Sequence, residues 1–74
     1  MPIISITTWP TEPEMKKNIM EKITKLIHEE TKAPLDKITV YFQEIPKLDW
    51  SEAGILGADE AFPVLSRRKF YEEV

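Results

Sequence analysis

The sequence predicts an α+β fold: a β-α-β unit followed by a small hairpin and a tail, in a single domain covering 1–74. Three observations predict it. An isoleucine-rich run, Ile3-Ile4-Ser5-Ile6, opens the chain. Apolar residues then recur at three- and four-residue steps from Met15 to Ile27, and apolar and polar residues alternate from Ile38 to Gln43. The first pattern suits a covered strand, the second an amphipathic helix and the third a half-covered strand. Strand, helix and strand in so short a stretch make a βαβ unit, whose strands run parallel with a right-handed crossover.

Pro2 stands where proline is tolerated in a strand, at its first position, because its missing N–H leaves no gap in the ladder. Its plain reading is a strand start. Its chemical reading is a proton-transferring base, since removal of Met1 would make Pro2 a free secondary amine. The strand ends in Thr7-Thr8-Trp9-Pro10-Thr11-Glu12-Pro13-Glu14, where Thr11 and Glu14 have the spacing of a capping box and Pro13 falls in the first helical turn. The helix runs to about Lys32, with Met15, Ile19, Met20, Ile23, Leu26 and Ile27 as its apolar stripe. Lys16, Lys17, Glu21, Lys22, Lys25 and Glu29 form a solvated face, and His28 lies beside the stripe as a partly exposed spectator. Ala33-Pro34 closes the helix, because a residue before proline disfavours helical backbone.

The second strand spans 37–44, with Ile38, Val40 and Phe42 on the core face and Thr39, Tyr41 and Gln43 on a mixed face. Gly54 and Gly57 bracket Ile55 and Leu56, which suits a small hairpin or a strand pairing with another subunit. The tail from Pro63 to Val74 reads as a short helix with Leu65 and Phe70 on one side. It carries both arginines of the chain, Arg67 and Arg68.

Composition limits the function. At 74 residues the chain buries only about 60% of its unfolded surface, and two strands with one helix close no core, so oligomerisation is expected. With no Cys and one His, neither a disulfide, a thiolate metal site nor a metal cluster is expected, and no cofactor is assigned. A net charge of −3 spread over mixed signs argues against a nucleic-acid partner. No apolar run approaches a membrane span and no signal pattern opens the chain, so the expected location is cytoplasmic.

The Met1-Pro2-Ile3-Ile4 start, the helix ending in Ala33-Pro34-Leu35, the strand after it and the segment from Trp50 to Gly57 together resemble a 4-oxalocrotonate tautomerase-family subunit. The resemblance covers about 2–58 in order and spacing, apart from one residue missing near Pro10, and leaves 59–74 as a C-terminal extension. It implies a β-α-β subunit whose sheet is completed by dimerisation, with three dimers forming a hexamer and a dimer as fallback. It also implies a small-molecule substrate, an enol or keto form of a 2-oxo acid or related carbonyl compound, with Pro2 as general base. Trp50 matches the aromatic wall of the family site.

Two departures bear on substrate choice. The family's early arginine falls near Thr11 and its second-strand arginine on Thr39, and neither threonine offers a charge or a bidentate fork. Thr39, with Trp50, is a candidate substrate contact; Arg67 and Arg68, or Lys16 and Lys17, are candidates to replace the missing cations. Glu52, two residues after Trp50, resembles in placement the water-activating glutamate of the trans-3-chloroacrylic acid dehalogenases. That leaves a hydratase- or dehalogenase-like reading open beside the tautomerase, as well as a non-catalytic oligomeric binding protein.

Overall fold

A computed structural model describes residues 2–72. The chain divides into two compact units, Met1–Glu44 and Ile45–Val74. The first is the βαβ unit. Strand β1 (Ile3–Thr8) leads into helix α1 (Pro13–Thr31), a 3-10 turn at Leu35–Lys37 and strand β2 (Thr39–Glu44). The strands pair in parallel from Ile3 opposite Thr39 to Thr8 opposite Glu44. Ile4, Ile6, Val40 and Phe42 are half-buried on one face, and α1 presents Ile19, Ile23 and Ile27 to it. The two periodicities, 2 along the strands and 3.6 along the helix, bring these residues into one layer. The opposite sheet face is open, with Ile3 60% and Tyr41 47% exposed.

The start of α1 differs from the sequence expectation. Glu12 is the N-cap and makes no side-chain capping bond. The Thr11 hydroxyl donates instead to the Trp9 carbonyl at 2.9 Å, and the Thr11 N–H donates to Glu44 Oε2 at 2.6 Å. The strand-end carboxylate takes the Thr11 N–H, and the N-cap falls one residue later at Glu12, which moves Glu14 off the third helical position that a capping box needs. Met15 and Leu26, assigned to the apolar stripe, are 54% and 55% exposed, because the two-stranded sheet is too narrow to cover the helix edge on which they lie. Lys16, assigned to the solvated face, is half-buried.

The helix stops as expected. Lys32 takes the left-handed conformation at φ 64°, and its N–H donates to the His28 carbonyl at 2.9 Å. His28 Nδ1 lies 2.7 Å from the Ala33 carbonyl oxygen, a position that calls for the proton on Nδ1.

The second unit holds a 3-10 turn at Lys47–Asp49, strands β3 (Ser51–Glu52) and β4 (Ile55–Leu56), and helix α2 (Phe62–Leu65). The strands are antiparallel, with Ser51 opposite Leu56 and Glu52 opposite Ile55, the small hairpin expected around Gly54 and Gly57. The Gly57 N–H extends the ladder to the Trp50 carbonyl at 2.8 Å. Ala53 and Gly54 make the two-residue turn at φ 54° and 78°, the pair of positive values a type I′ turn demands.

The helix expected across the tail is confined to Phe62–Leu65. Leu65 is half-buried while Phe70 is 67% exposed, so they do not share a packed side. Helical side chains lean toward the N-terminus, whereas Arg68 Nη1 donates forward to the Tyr71 carbonyl at 3.4 Å. The helix has already ended at Leu65. The last two residues of the expected helix, 73 and 74, lie outside the described residues.

Ala53 is the strained member of the turn, since a left-handed backbone costs an L-residue with a Cβ about 1–2 kcal/mol. Asn tolerates that region through local hydrogen bonding. Ala53→Asn is expected to raise stability by about 0.5–1 kcal/mol in urea unfolding. An unchanged or lower midpoint would refute the turn assignment.

Candidate functional site

Pro2 precedes β1 and is half-buried. Its carbonyl accepts the N–H of Thr39 at 3.0 Å. The parallel register therefore puts Pro2 and Thr39, far apart in sequence, at the same end of the sheet. Thr39 is exposed and shares its face with Ile3 and Tyr41. Strand alternation groups Tyr41 with Thr39 without marking it as a site residue. It places a phenol two residues along the strand face that begins beside Pro2.

In the second unit, Trp50 and Glu52 come together. The Trp50 indole N–H donates to Glu52 Oε2 at 3.1 Å, so the carboxylate orients the ring. Arg67 is exposed. Arg68 turns to the hairpin: its Nη2 and Nε donate to the Ala53 carbonyl at 3.0 and 3.3 Å.

A second cluster escaped the sequence reading. At the far end of the sheet Glu44 accepts the Thr11 N–H at 2.6 Å and Lys16 Nζ at 3.0 Å. The Thr11 hydrogen bond, then the Lys16 ammonium, hold the Glu44 carboxyl below the ordinary carboxylate range. No sequence signal pairs residues 28 and 33 positions apart; the match needs the β1–β2 register. Five strand steps of about 3.3 Å separate this end from Thr39, roughly 17 Å. Lys16 thus stands at the opposite end of its own sheet from Pro2, and cannot supply a cation to Pro2 of the same chain.

A groove of about 540 Å³ runs along α1, lined by residues that include Met20, Thr24, His28 and Leu35. Glu21, Lys25 and Glu29 also line it, and His28 Nδ1 is directed at the Ala33 carbonyl. Among the described residues no cluster of three or more His, Asp or Glu side chains could hold a metal ion.

The family model described as tautomerase enzyme matches residues 2–58, beginning at Pro2 and crossing both units. The chain belongs to the tautomerase family. The 2-hydroxymuconate tautomerase of Pseudomonas putida is 40% identical to it over 40 residues, a stretch covering 54% of this chain and 64% of that relative. The match thus spans less than two thirds of the relative's length. The crystal structure of YwhB, a homologue of 4-oxalocrotonate tautomerase, superposes with a TM-score of 0.71 at 30% identity, covering 78% of this chain and 97% of the other. A heterohexameric 4-oxalocrotonate tautomerase from Chloroflexus aurantiacus gives a TM-score of 0.73 at 23% identity, covering 81% and 98%, and speaks to the fold alone. The tautomerase match ends at residue 58, so Arg67, Arg68 and Tyr71 lie beyond what the family model describes.

Because Glu44 titrates below its unfolded value, its contribution to stability is present above the ordinary carboxylate pKa of 4.5 and is lost as pH falls through the lowered folded value. Glu44→Gln is expected to lower stability at neutral pH and to flatten the fall in unfolding midpoint between about pH 5 and 3. Parallel acid profiles for parent and variant would show that Glu44 is not held by Thr11 and Lys16 in solution.

Proposed function

We propose that this tautomerase-family chain is an isomerase acting on a small 2-oxo acid or related carbonyl compound. It moves a proton between the enol and keto forms, with Pro2 as general base once Met1 is removed and all of 1–74 acting as one domain in the cytoplasm. The observation that carries the reading is the family match opening at Pro2, on a strand end where Pro2 is half-buried. An α-amine titrates near ~8, and partial burial disfavours its charged form, bringing it toward neutral pH. The neutral nitrogen removes the enol hydroxyl proton, and the resulting ammonium returns a proton to carbon, which regenerates the base. One group performs both transfers, so no metal or cofactor is invoked.

Thr39, bonded through its N–H to Pro2, offers its hydroxyl to a substrate oxygen, and Arg67, exposed in the second unit, is a candidate cation for a carboxylate in whichever copy brings it there. Trp50, from whichever copy of the chain supplies it, is the aromatic wall that excludes water and disfavours the proline cation. A homo-oligomer supports the same reading. Among the described residues none is fully buried, and Ile3 and Tyr41 stand exposed on a sheet face next to Pro2 and Thr39. A second copy pairing at a free sheet edge would extend the sheet, and further copies packing on the open face would enclose the base; a hexamer is the proposed state, with a dimer as fallback.

Sedimentation at micromolar concentration is expected to show the hexamer or the dimer. A stable monomer would overturn the assembly. Replacement of Pro2 by Ala keeps a terminal amine but changes its basicity and geometry. Ketonisation of phenylenolpyruvate by Pro2→Ala, confirmed by mass to lack Met1, is expected to fall about 10²–10⁴-fold, the range for a lost general base. Full activity in that variant would remove Pro2 from the mechanism.

A further inference from the structure

The hairpin formed by β3 and β4 is too short to hold itself. Each strand has two residues, and an isolated two-stranded hairpin is marginal in water even at greater length. Its turn also carries a left-handed alanine, Ala53 at φ 54°. Yet this hairpin carries Glu52, and it aligns Trp50 through the bond from the Gly57 N–H to the Trp50 carbonyl.

The tail supplies what the ladder lacks. Arg68 Nη2 and Nε both donate to the Ala53 carbonyl, at 3.0 and 3.3 Å, and Nη1 donates to the Tyr71 carbonyl at 3.4 Å. The guanidinium carbon lies 5.1 Å from the centre of the Tyr71 ring, a cation–π distance. Arg68 Nη2 and the Tyr71 ring each stand 3.8 Å from the point where a Cβ on Gly54 would sit, so the tail closes over the turn at van der Waals range. A planar fork aimed at one carbonyl and stacked on a ring is an arrangement Lys cannot reproduce.

We infer that Arg68 is a positioning residue: clamped on the Ala53 carbonyl and stacked on Tyr71, it locks the hairpin and thereby sets the orientation of Trp50 and Glu52. It acts through the hairpin and does not grip the substrate. The catalytic half of this inference rests on the proposed tautomerase role of Trp50; the structural half does not.

Amide exchange and kinetics test the two halves separately in the full chain. In Arg68→Ala the Gly57 N–H is expected to exchange about tenfold faster or more, the scale of a lost hydrogen bond to a charged group, while the Thr39 N–H bonded to Pro2 keeps its parent rate. With phenylenolpyruvate, kcat is expected to fall several-fold with KM little changed, and Arg68→Lys to restore only part of the loss. Tyr71→Ala, which removes the ring but keeps the guanidinium, is expected to give an intermediate exchange rate. This milder variant decides the matter should Arg68→Ala unfold the chain. Parent-like exchange at Gly57 across the series would overturn the clamp. A rise in KM for the carboxylate substrate with no such rise for its neutral ester would overturn the positioning role and make Arg68 a substrate ligand. A parent without tautomerase activity would defeat the proposed function, yet leave the exchange result to stand or fall by itself.

Discussion

The parallel pairing of β1 with β2 is the constraint on which the rest depends. Parallel strands cannot be joined by a tight turn, so a long crossover must intervene, and α1 fills it. The same register decides which residues meet. It sets Thr39 against Ile3 and bonds it to Pro2 at one end, and it sets Glu44 against Thr8, within reach of Thr11 and Lys16, at the other. A slip by one residue would move Thr39 and Tyr41 to the helix-covered face and Val40 and Phe42 to the open one. The apolar pairs Ile4–Val40 and Ile6–Phe42 under α1 oppose that slip.

The two units rely on different forces. The first rests on a shared apolar layer of sheet and helix. The second has short elements and few ladder bonds, and its hairpin is held by the Arg68 contacts to Ala53 and Tyr71 and by the bond between Trp50 and Glu52. Backbone carbonyls at a turn are good acceptors for a guanidinium because the turn leaves them outside the ladder. The tautomerase-family match covers 2–58, so it includes Ala53 and stops short of Arg68 and Tyr71.

Apolar positions that a single chain leaves exposed follow from the same geometry. Ile3 and Tyr41 face away from α1, while Met15 and Leu26 lie on the helix edge that a two-stranded sheet cannot reach. Half-burial without a closed interior is the expected condition of a unit with one helix on two strands, and association is the means by which such a unit gains area.

The sequence by itself determined the periodic features. Alternation at Val40 and Phe42, the 3.6-residue recurrence at Ile19, Ile23 and Ile27, the stop before Ala33-Pro34 and the hairpin around Gly54 follow from local rules and are present in the structure. The strand expected over 37–44 begins instead at Thr39, because Leu35–Lys37 coils into a 3-10 turn. The pattern from Met1-Pro2 to Gly57 also carried the family, because its motifs keep their order and spacing. Tertiary structure decided what depends on partners distant in sequence. Thr11 and Glu14 have the spacing of a capping box, yet Thr11 bonds Trp9 and Glu44, since a carboxylate arriving from β2 competes for its N–H. Lys16 looked solvated until the register brought Glu44 to it. Arg68 read as one of a basic pair, and only the fold of the tail aims its fork at the Ala53 carbonyl. Local propensity is written in neighbours along the chain, whereas these bonds join groups that meet only after the chain has folded.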